Sequence, residues 1–355
     1  MSTPQPRSHI EVLSGYHSPQ VAVPIRLNTN ESPYEVPPAF LEQWVEKIRR
    51  TSWNRYPDRM ATELREAIGE QYGVPGSRVW PGNGSNELLQ MLNLAFGGPG
   101  RTVTLFEPTY ALHRHIAETI GATVVSGIRS TDFQVELDHA CELIDRERPN
   151  LIMWCNPNNP TGTADSSEVL EAVLERAAQQ GSLVVVDEAY GEFATNSQIS
   201  RDHPNLAVLR TFSKVWSLAG MRLGFIVAPD PVIASLQAVT LPYHLSAVHQ
   251  HAGVCALTFD DEMQQRVDAI TRGRAYVEGQ LQAMGVRYWS SQANFVLFEI
   301  GSEASEIWER LLAAGVLVRD CSSWLGLEGC LRVTIGTNEE NMAFCEALSL
   351  AMRGE

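Results

Sequence analysis

Lysine is nearly missing from this chain of 355 residues: of its 27 lysines and arginines, only Lys47 and Lys214 are lysines. Codon usage accounts for the scarcity but not for the position of the survivors. Lys47 lies in an ordinary charged helical pattern. Lys214 stands in TFSKVWSLAGMRLGF (211–225), between an apolar strand-like run and an apolar segment containing glycine. Positive charge as a whole is short too. The formal net charge is -15, which speaks against nucleic acid or an anionic membrane as a partner, since both need a basic face.

Other absences narrow the class further. No apolar run approaches the length that spans a bilayer. The first twenty residues lack the hydrophobic core of a signal peptide, so the expected compartment is the cytoplasm. The six cysteines form no C-x-x-C pair and no zinc spacing; in a reducing compartment they read as buried thiols serving as small apolar residues. His113 and His115 form H-x-H, and His244, His249 and His251 cluster loosely, but no third ligand follows at a fixed spacing, so no metal is expected. The histidines read as helix-surface or pocket-rim residues. There is no G-x-G-x-x-G and no Walker loop, so neither a dinucleotide nor a nucleoside triphosphate is indicated.

What is present is an alternation. Apolar runs at 103–107, 123–127, 151–155, 182–190, 206–214 and 222–228 are separated by amphipathic helical patterns. That predicts an α/β fold with an open, mostly parallel sheet covered on both faces. Residues 1–37 read as an irregular arm packing on a smaller domain, and 38–245 as the large domain. From 246 the texture changes to a long helical stretch (246–284), then strand candidates at 293–300, 315–320 and 330–336, a smaller α+β domain.

In open α/β sheets, ligands bind outside the carboxyl ends of the strands, and the unusual residues collect there. LIMWC runs into NPNNPTG (156–162), SLVVV into DEAY (187–190), LAVLR into TFSK (211–214), and GNGSNELL (82–89) opens a helix. Asp187 follows four apolar residues, where a carboxylate needs a cationic partner or strong donors; a helix cap or loop salt bridge is the commoner fate of such a residue. Lys214 alone would read as a surface lysine. As a nucleophilic amine it has a role no arginine can take, because guanidinium keeps its proton and forms no imine. Asn159 and Tyr190 can serve a phenolic oxygen. Gly84, Ser85 and Asn86 at a helix N-terminus, with Arg222, form an anion cradle. An amine, an acid for a ring nitrogen, an amide with a tyrosine and an anion cradle together match the needs of pyridoxal 5′-phosphate.

With these motifs the chain resembles the fold-type I pyridoxal-phosphate enzymes of the class I/II aminotransferase group, over nearly its whole length: GYHSPQ, RLNTNESPY, NRYPD, GNGSNELL, EPTY, NPNNPTG, VVVDEAY, TFSKVWSLAGMRLGF, ANFVLF, VLVRD and CLRVTIG. Within the group it looks like the histidinol-phosphate transaminases; aromatic aminotransferases and decarboxylases of phosphorylated amino acids are the rivals on the same fold. The resemblance implies that Lys214 binds the cofactor covalently, Asp187 pairs with its ring nitrogen, and Tyr190 and Asn159 meet its ring oxygen. It implies Tyr110 stacked on the ring, and Gly84, Ser85, Asn86, Thr211, Ser213 and Arg222 around its phosphate. Tyr56 would reach the phosphate of a neighbouring subunit in a homodimer. Arg319 and Arg332 would bind the anionic end of the substrates, an amino donor and a 2-oxo acid acceptor, while Tyr16 and Asn30 line or close the pocket. The chain departs from the group at Asn86, where an acidic residue is frequent, at Trp216, where a phenylalanine-type residue is, and in the arm, which lacks a proline before Tyr16.

Overall fold

The fold is described from a computed structural model covering residues 4–11, 13, 15 and 21–354. Twelve strands lie in two sheets among these residues. In chain order they are β1 (Ile25–Leu27), β2 (Val79–Gly82), β3 (Thr102–Glu107), β4 (Thr123–Ile128), β5 (Leu151–Cys155), β6 (Leu183–Asp187), β7 (Leu206–Thr211), β8 (Gly224–Val227), β9 (Arg287–Tyr288), β10 (Phe295–Glu299), β11 (Val316–Asp320) and β12 (Cys330–Thr334). The helices are α1 (Ser8–Glu11), α2 (Pro38–Arg49), α3 (Thr62–Tyr72), α4 (Gly84–Phe96), α5 (Ala111–Ile120), α6 (Leu137–Glu147), α7 (Ser167–Gln180), α8 (Asp230–Val239), α9 (Ala247–Ala256), α10 (Asp260–Ala283), α11 (Ala304–Ala313) and α12 (Asn338–Arg353).

The larger sheet has the order β2-β8-β7-β6-β5-β3-β4, and β8 alone runs against the rest. Its central strands are buried along their whole length. That is why LIMWC and LVVVD are continuous apolar runs rather than alternating ones. The mostly parallel α/β fold expected from the sequence is therefore the one observed. Two core clusters lie on opposite faces of this sheet: Val184, Val186 and Val208 point into one, Val185, Ala207 and Leu209 into the other. Alternate residues of a strand point to opposite faces, so each strand feeds both layers.

The smaller sheet has the order β1-β11-β12-β10-β9. β1, which comes from the supposedly irregular arm, pairs parallel with β11. Three residues of IRL carry too little periodicity to be read as a strand. β2, α8 and β9 also escaped the sequence pattern, for the same reason in the two strands. The helical stretch 246–284 needs a correction: it is two helices, interrupted at Leu257–Phe259. α9 packs on α2 and α3, with Gly253 against Leu64 and Leu223, whereas α10 packs along α12. One straight helix could not serve both surfaces. Asp260, Asp261 and Glu262 mark the restart, because acids favour a helix N-terminus.

Candidate active site

Strand register gathers the site. Cys155, Asp187 and Leu209 are neighbours across β5, β6 and β7. The chain leaving β5 therefore delivers Asn156–Gly162 beside Asp187, and the chain leaving β7 delivers Thr211, Ser213 and Lys214 on its other side. On β6 itself the strand ends at Asp187 and turns. A buried ion cluster fixes that turn: Arg210 meets Glu188 at 2.8 Å and Glu192 at 2.9 Å, with Tyr190 held between the two acids in sequence. Removing one partner from such a cluster leaves a buried charge uncompensated.

A cavity of about 210 Å³ opens at these strand ends, lined by Lys214, Asp187, Tyr190, Asn159, Ser85 and Tyr110, by Asn28, Thr29 and Asn30 after β1, and by Arg319 and Arg332 from the smaller sheet. Lys214 lines this cavity and is partly buried. Its Nζ donates to the Thr29 carbonyl at 3.4 Å and lies 5.6 Å from the Tyr190 ring centroid. Burial, with Arg332 adding positive charge nearby, lowers its pKa from 10.5 to about 8; Glu31 opposes this, Arg222 adds a smaller push downward, and Asp187 opposes least. About a tenth of the amine is thus neutral at pH 7, far more than at the ordinary lysine value, and the neutral amine is the nucleophile.

Asp187 is buried. Its Oδ1 accepts the Ala189 N–H at 3.1 Å and its Oδ2 lies 2.9 Å from His113 Nε2. His113 is completely buried, which corrects its reading as a surface or rim residue. Its Nδ1 has no partner among the described residues, and the Tyr110 ring packs edge-on against it at 5.5 Å. A sequence signal existed: on α5, His113 falls on the same face as Ala117, four residues on, and both are buried.

The Tyr190 hydroxyl accepts from Asn30 Nδ2 at 2.9 Å, so its own proton is free to be donated elsewhere. Burial raises its pKa above the usual tyrosine value, which keeps it protonated. Asn30 is clamped by Thr334 and Asn294. It acts through Tyr190 as well as lining the cavity. Arg332 Nη1 donates to Asn159 Oδ1 at 2.5 Å. Because arginine has donors only, that contact forces the Asn159 amide to turn its NH₂ the other way. Arg332 also donates from Nη2 to the Asn28 carbonyl, while its buried Nε has no partner among the described residues. Arg319 sits opposite Arg332 in the β11–β12 register, its guanidinium 5.3 Å from the Trp324 ring centroid.

The anion cradle is built from the β2–α4 turn and the chain after β7. β2 pairs with β8 through Gly82 and Gly224. A Cβ on Gly224 would stand 2.8 Å from the Ser85 nitrogen, and one on Gly84 would stand 2.8 Å from Arg222 Nη2. Only glycine lets the helix start this close to the strand. Arg222 has φ 52°, a left-handed conformation that costs a non-glycine residue about 1–3 kcal/mol. In that conformation its guanidinium reaches Gly84, and its Nη1 donates to Ser213 Oγ at 3.4 Å. Thr211 Oγ1 joins Ser213 at 2.9 Å. Asn83 makes no side-chain cap on α4, so first-turn N–H groups point into the cradle. Asn86 accepts from the Tyr110 hydroxyl at 3.2 Å and so sets that ring.

Two expected residues stand apart. Tyr56 is 79% exposed and stacks on Tyr243, with ring centroids 4.4 Å apart; it does not line the cavity. Tyr16 lies outside the described residues. Thr29, Cys155 and Trp324 line the cavity without having been singled out. They contribute a carbonyl, a wall and a loop residue, none of which has a motif.

Comparison with known proteins agrees with this geometry. The profile of the aminotransferase class I and II family matches residues 22–348. A histidinol-phosphate aminotransferase of Frankia casuarinae is 43% identical, covering 98% of this chain and 90% of the relative. One from Paenarthrobacter aurescens is 40% identical, covering 98% and 95%. Among solved structures, histidinol-phosphate aminotransferase from Sinorhizobium meliloti in complex with pyridoxal-5′-phosphate superposes with a TM-score of 0.88 at 23% identity, covering 98% of this chain and 97% of that one. The family is dependent on pyridoxal phosphate, and this cavity fits it: a buried amine of lowered pKa, a carboxylate with lone pairs to spare, two donors turned inward by Asn30 and Arg332, and an anion cradle that a single Cβ would fill. Sequence, fold and cavity thus agree, and the chain belongs to the class I and II aminotransferases.

Proposed function

We propose that this enzyme moves the amino group of histidinol phosphate to 2-oxoglutarate, giving imidazole acetol phosphate and glutamate, as a step of histidine biosynthesis in the cytoplasm. The observation that carries this reading is the pair Arg319 and Arg332, set side by side on the wall of the cavity that holds Lys214. Histidinol phosphate has no α-carboxylate, so its phosphate must take that place. Glutamate offers a carboxylate to the same spot. Two guanidinium forks suit both, since each pairs bidentately with either anion. Arg332 donates to neutral oxygens of Asn159 and Asn28, which leaves its charge for a ligand. No helix among the described residues is long and apolar enough to cross a membrane.

The cofactor supplies an aldehyde carbon that takes up the amino group and a ring that acts as an electron sink. The protein does the rest. Lys214 Nζ, neutral in part, would take the proton from the substrate's Cα and pass it to the carbon that carried the aldehyde, and would move it back in the second half-reaction. Asp187 offers a carboxylate to the ring N–H. The Tyr190 hydroxyl and the Asn159 amide would donate to the ring oxygen, and Tyr110 would pack against the ring. Gly84, Ser85, Asn86, Thr211, Ser213 and Arg222 would hold the phosphate. Arg319 and Arg332 would orient the substrate, and Asn30 holds Tyr190.

Mixing the purified enzyme with histidinol phosphate should convert the visible cofactor spectrum to its amine form, and 2-oxoglutarate should reverse it. Carbon dioxide released from phosphothreonine would instead make the enzyme a decarboxylase.

We also infer a homodimer in which Tyr56 reaches the partner's phosphate site. Exposed Tyr56 and Tyr243 stack on each other, and Trp53 and Leu241, exposed as well, lie close by in the chain. Such an apolar surface suits a second copy. Sedimentation at micromolar concentration should give twice the chain mass; a monomer with full activity would sink this. The division into arm (1–37), large domain (38–245) and small domain (246–355) is part of the same reading, supported by β1 joining the smaller sheet.

A further inference from the structure

The turn that carries Lys214 is closed by the Ser217 N–H, which donates to the Lys214 carbonyl at 3.0 Å. Val215 and Trp216, between them, are buried. Ser217 stands at φ 59°, a left-handed conformation uncommon for a residue with a side chain. Such a residue persists only where its surroundings over-determine it. Here the surroundings include a seam with the chain after β1. Lys214 Nζ donates to the Thr29 carbonyl at 3.4 Å. Three residues further along both segments, the Ser217 hydroxyl donates to Ser32 Oγ at 2.9 Å. From α10, Arg266 donates to the Val215 carbonyl at 3.4 Å and to the Glu35 carbonyl at 2.8 Å. The arm segment and the Lys214 turn are thus stitched side by side.

The other end of the arm segment is fixed elsewhere. β1 pairs with β11 in the smaller sheet, and Asn30 is bonded to Thr334 and Asn294. Residues 28–32 therefore bridge from the smaller sheet to the Lys214 turn. A lysine amine sits on a flexible four-carbon stem, and this one has two carbons to serve in turn, so it gains from an acceptor at a fixed place. The Thr29 carbonyl is such an acceptor. A neutral amine that gives one N–H to a carbonyl keeps its lone pair for the proton. We propose that Ser217 is a positioning residue for amino transfer: its hydroxyl, bonded to Ser32, keeps the Thr29 carbonyl at Lys214 Nζ. Neither serine is among the described residues that line the cavity, so the pair acts through Thr29 and Lys214. This rests on the reading of Lys214 as the proton carrier.

Two substitutions at one position separate this role from support of the fold. Ser217→Ala loses the hydroxyl and keeps the strained backbone. Ser217→Gly loses the hydroxyl and relieves the strain, since glycine adopts positive φ readily, so it should melt higher than Ser217→Ala. Both should nevertheless lower the maximal single-turnover rate of the holoenzyme, with glutamate and with histidinol phosphate, by about fivefold, the size of one lost hydrogen bond. The half-saturating concentrations should stay within about twofold of wild type, because Arg319 and Arg332 stand on β11 and β12. Ser32→Ala should match Ser217→Ala, and Ser32→Thr, which keeps a hydroxyl, should restore the rate. The double variant Ser32→Ala with Ser217→Ala should be no slower than either single one, as two partners of one bond require. Hydrogen exchange of the holoenzyme reads the seam without turnover: the amides of residues 28–35 should exchange about fivefold faster in Ser217→Gly than in wild type. If Ser217 only supports the fold, rate follows melting temperature and Ser217→Gly outpaces Ser217→Ala; that result overturns the proposal. Unchanged exchange in residues 28–35 does the same, as do additive losses in the double variant. A wild-type enzyme inert toward both histidinol phosphate and glutamate overturns the earlier reading of the reaction, and this role with it.

Discussion

Replacing Lys214 by alanine leaves a folded protein that no longer transfers amino groups. The amine is the one group in the cavity able both to bond an aldehyde and to carry the Cα proton. Losing a positioned proton carrier alone costs about 10²–10⁴-fold, and the lost nucleophile adds to that. Arginine does not rescue it, since guanidinium keeps its proton at any working pH. Single-turnover mixing with either amino donor reads this directly; turnover near the wild-type rate in the alanine variant would remove the proposed role. The same residue leaves a trace in stability. Between pH 8, near which the buried amine titrates, and its ordinary value of 10.5, the unfolded chain binds a proton that the folded chain does not. Stability of the cofactor-stripped protein therefore rises with pH through that window, and the burial penalty is fully present below it. Lys214→Met removes the penalty. It should melt higher than wild type at pH 7, and the gap should close toward pH 10.5.

Asp187→Asn is expected to keep the fold and lose most of the activity. The amide is nearly isosteric and can still accept the Ala189 N–H. What it lacks is charge. A carboxylate beside a basic nitrogen raises that nitrogen's pKa by roughly 1–3 units, and each unit is a factor of ten in the protonated population. The rate of Cα proton removal should therefore fall by about ten- to a thousandfold, most steeply at high pH, where the uncharged site holds the ring proton least. Stopped-flow rates across pH would show it; a variant within twofold of wild type at every pH would mean that Asp187 serves only to hold His113. His113 bears on the same result, because its Nε2 lies 2.9 Å from the carboxylate.

Much of this molecule was legible before any coordinates. Four apolar residues before Asp187, the lone lysine after a strand, and the turn NPNNPTG announced an α/β sheet with its chemistry at the strand ends. They did so because buried parallel strands demand continuous apolar runs, which leave polar residues conspicuous where the strands stop. Ser85, Asn159 and Arg332, which line the cavity, stood out in the sequence for the same reason: each is a polar residue at the edge of, or within, an apolar pattern. Short elements did not. β1, β2 and β9 have two to four residues each, too few for a period to register.

The sequence alone determined which side chains could do chemistry and at which strand ends they stand, because residue type and strand pattern are local properties. Only the tertiary structure decided that the arm's Thr29 caps Lys214, that Arg332 turns the Asn159 amide inward, and that His113 lies buried against Asp187. The three pairings span 185, 173 and 74 residues of chain, are fixed by how the elements pack, and no spacing along the chain encodes them. Burial acts the same way: the pKa of Lys214 is lowered by everything packed around it, of which its sequence neighbours are a small part.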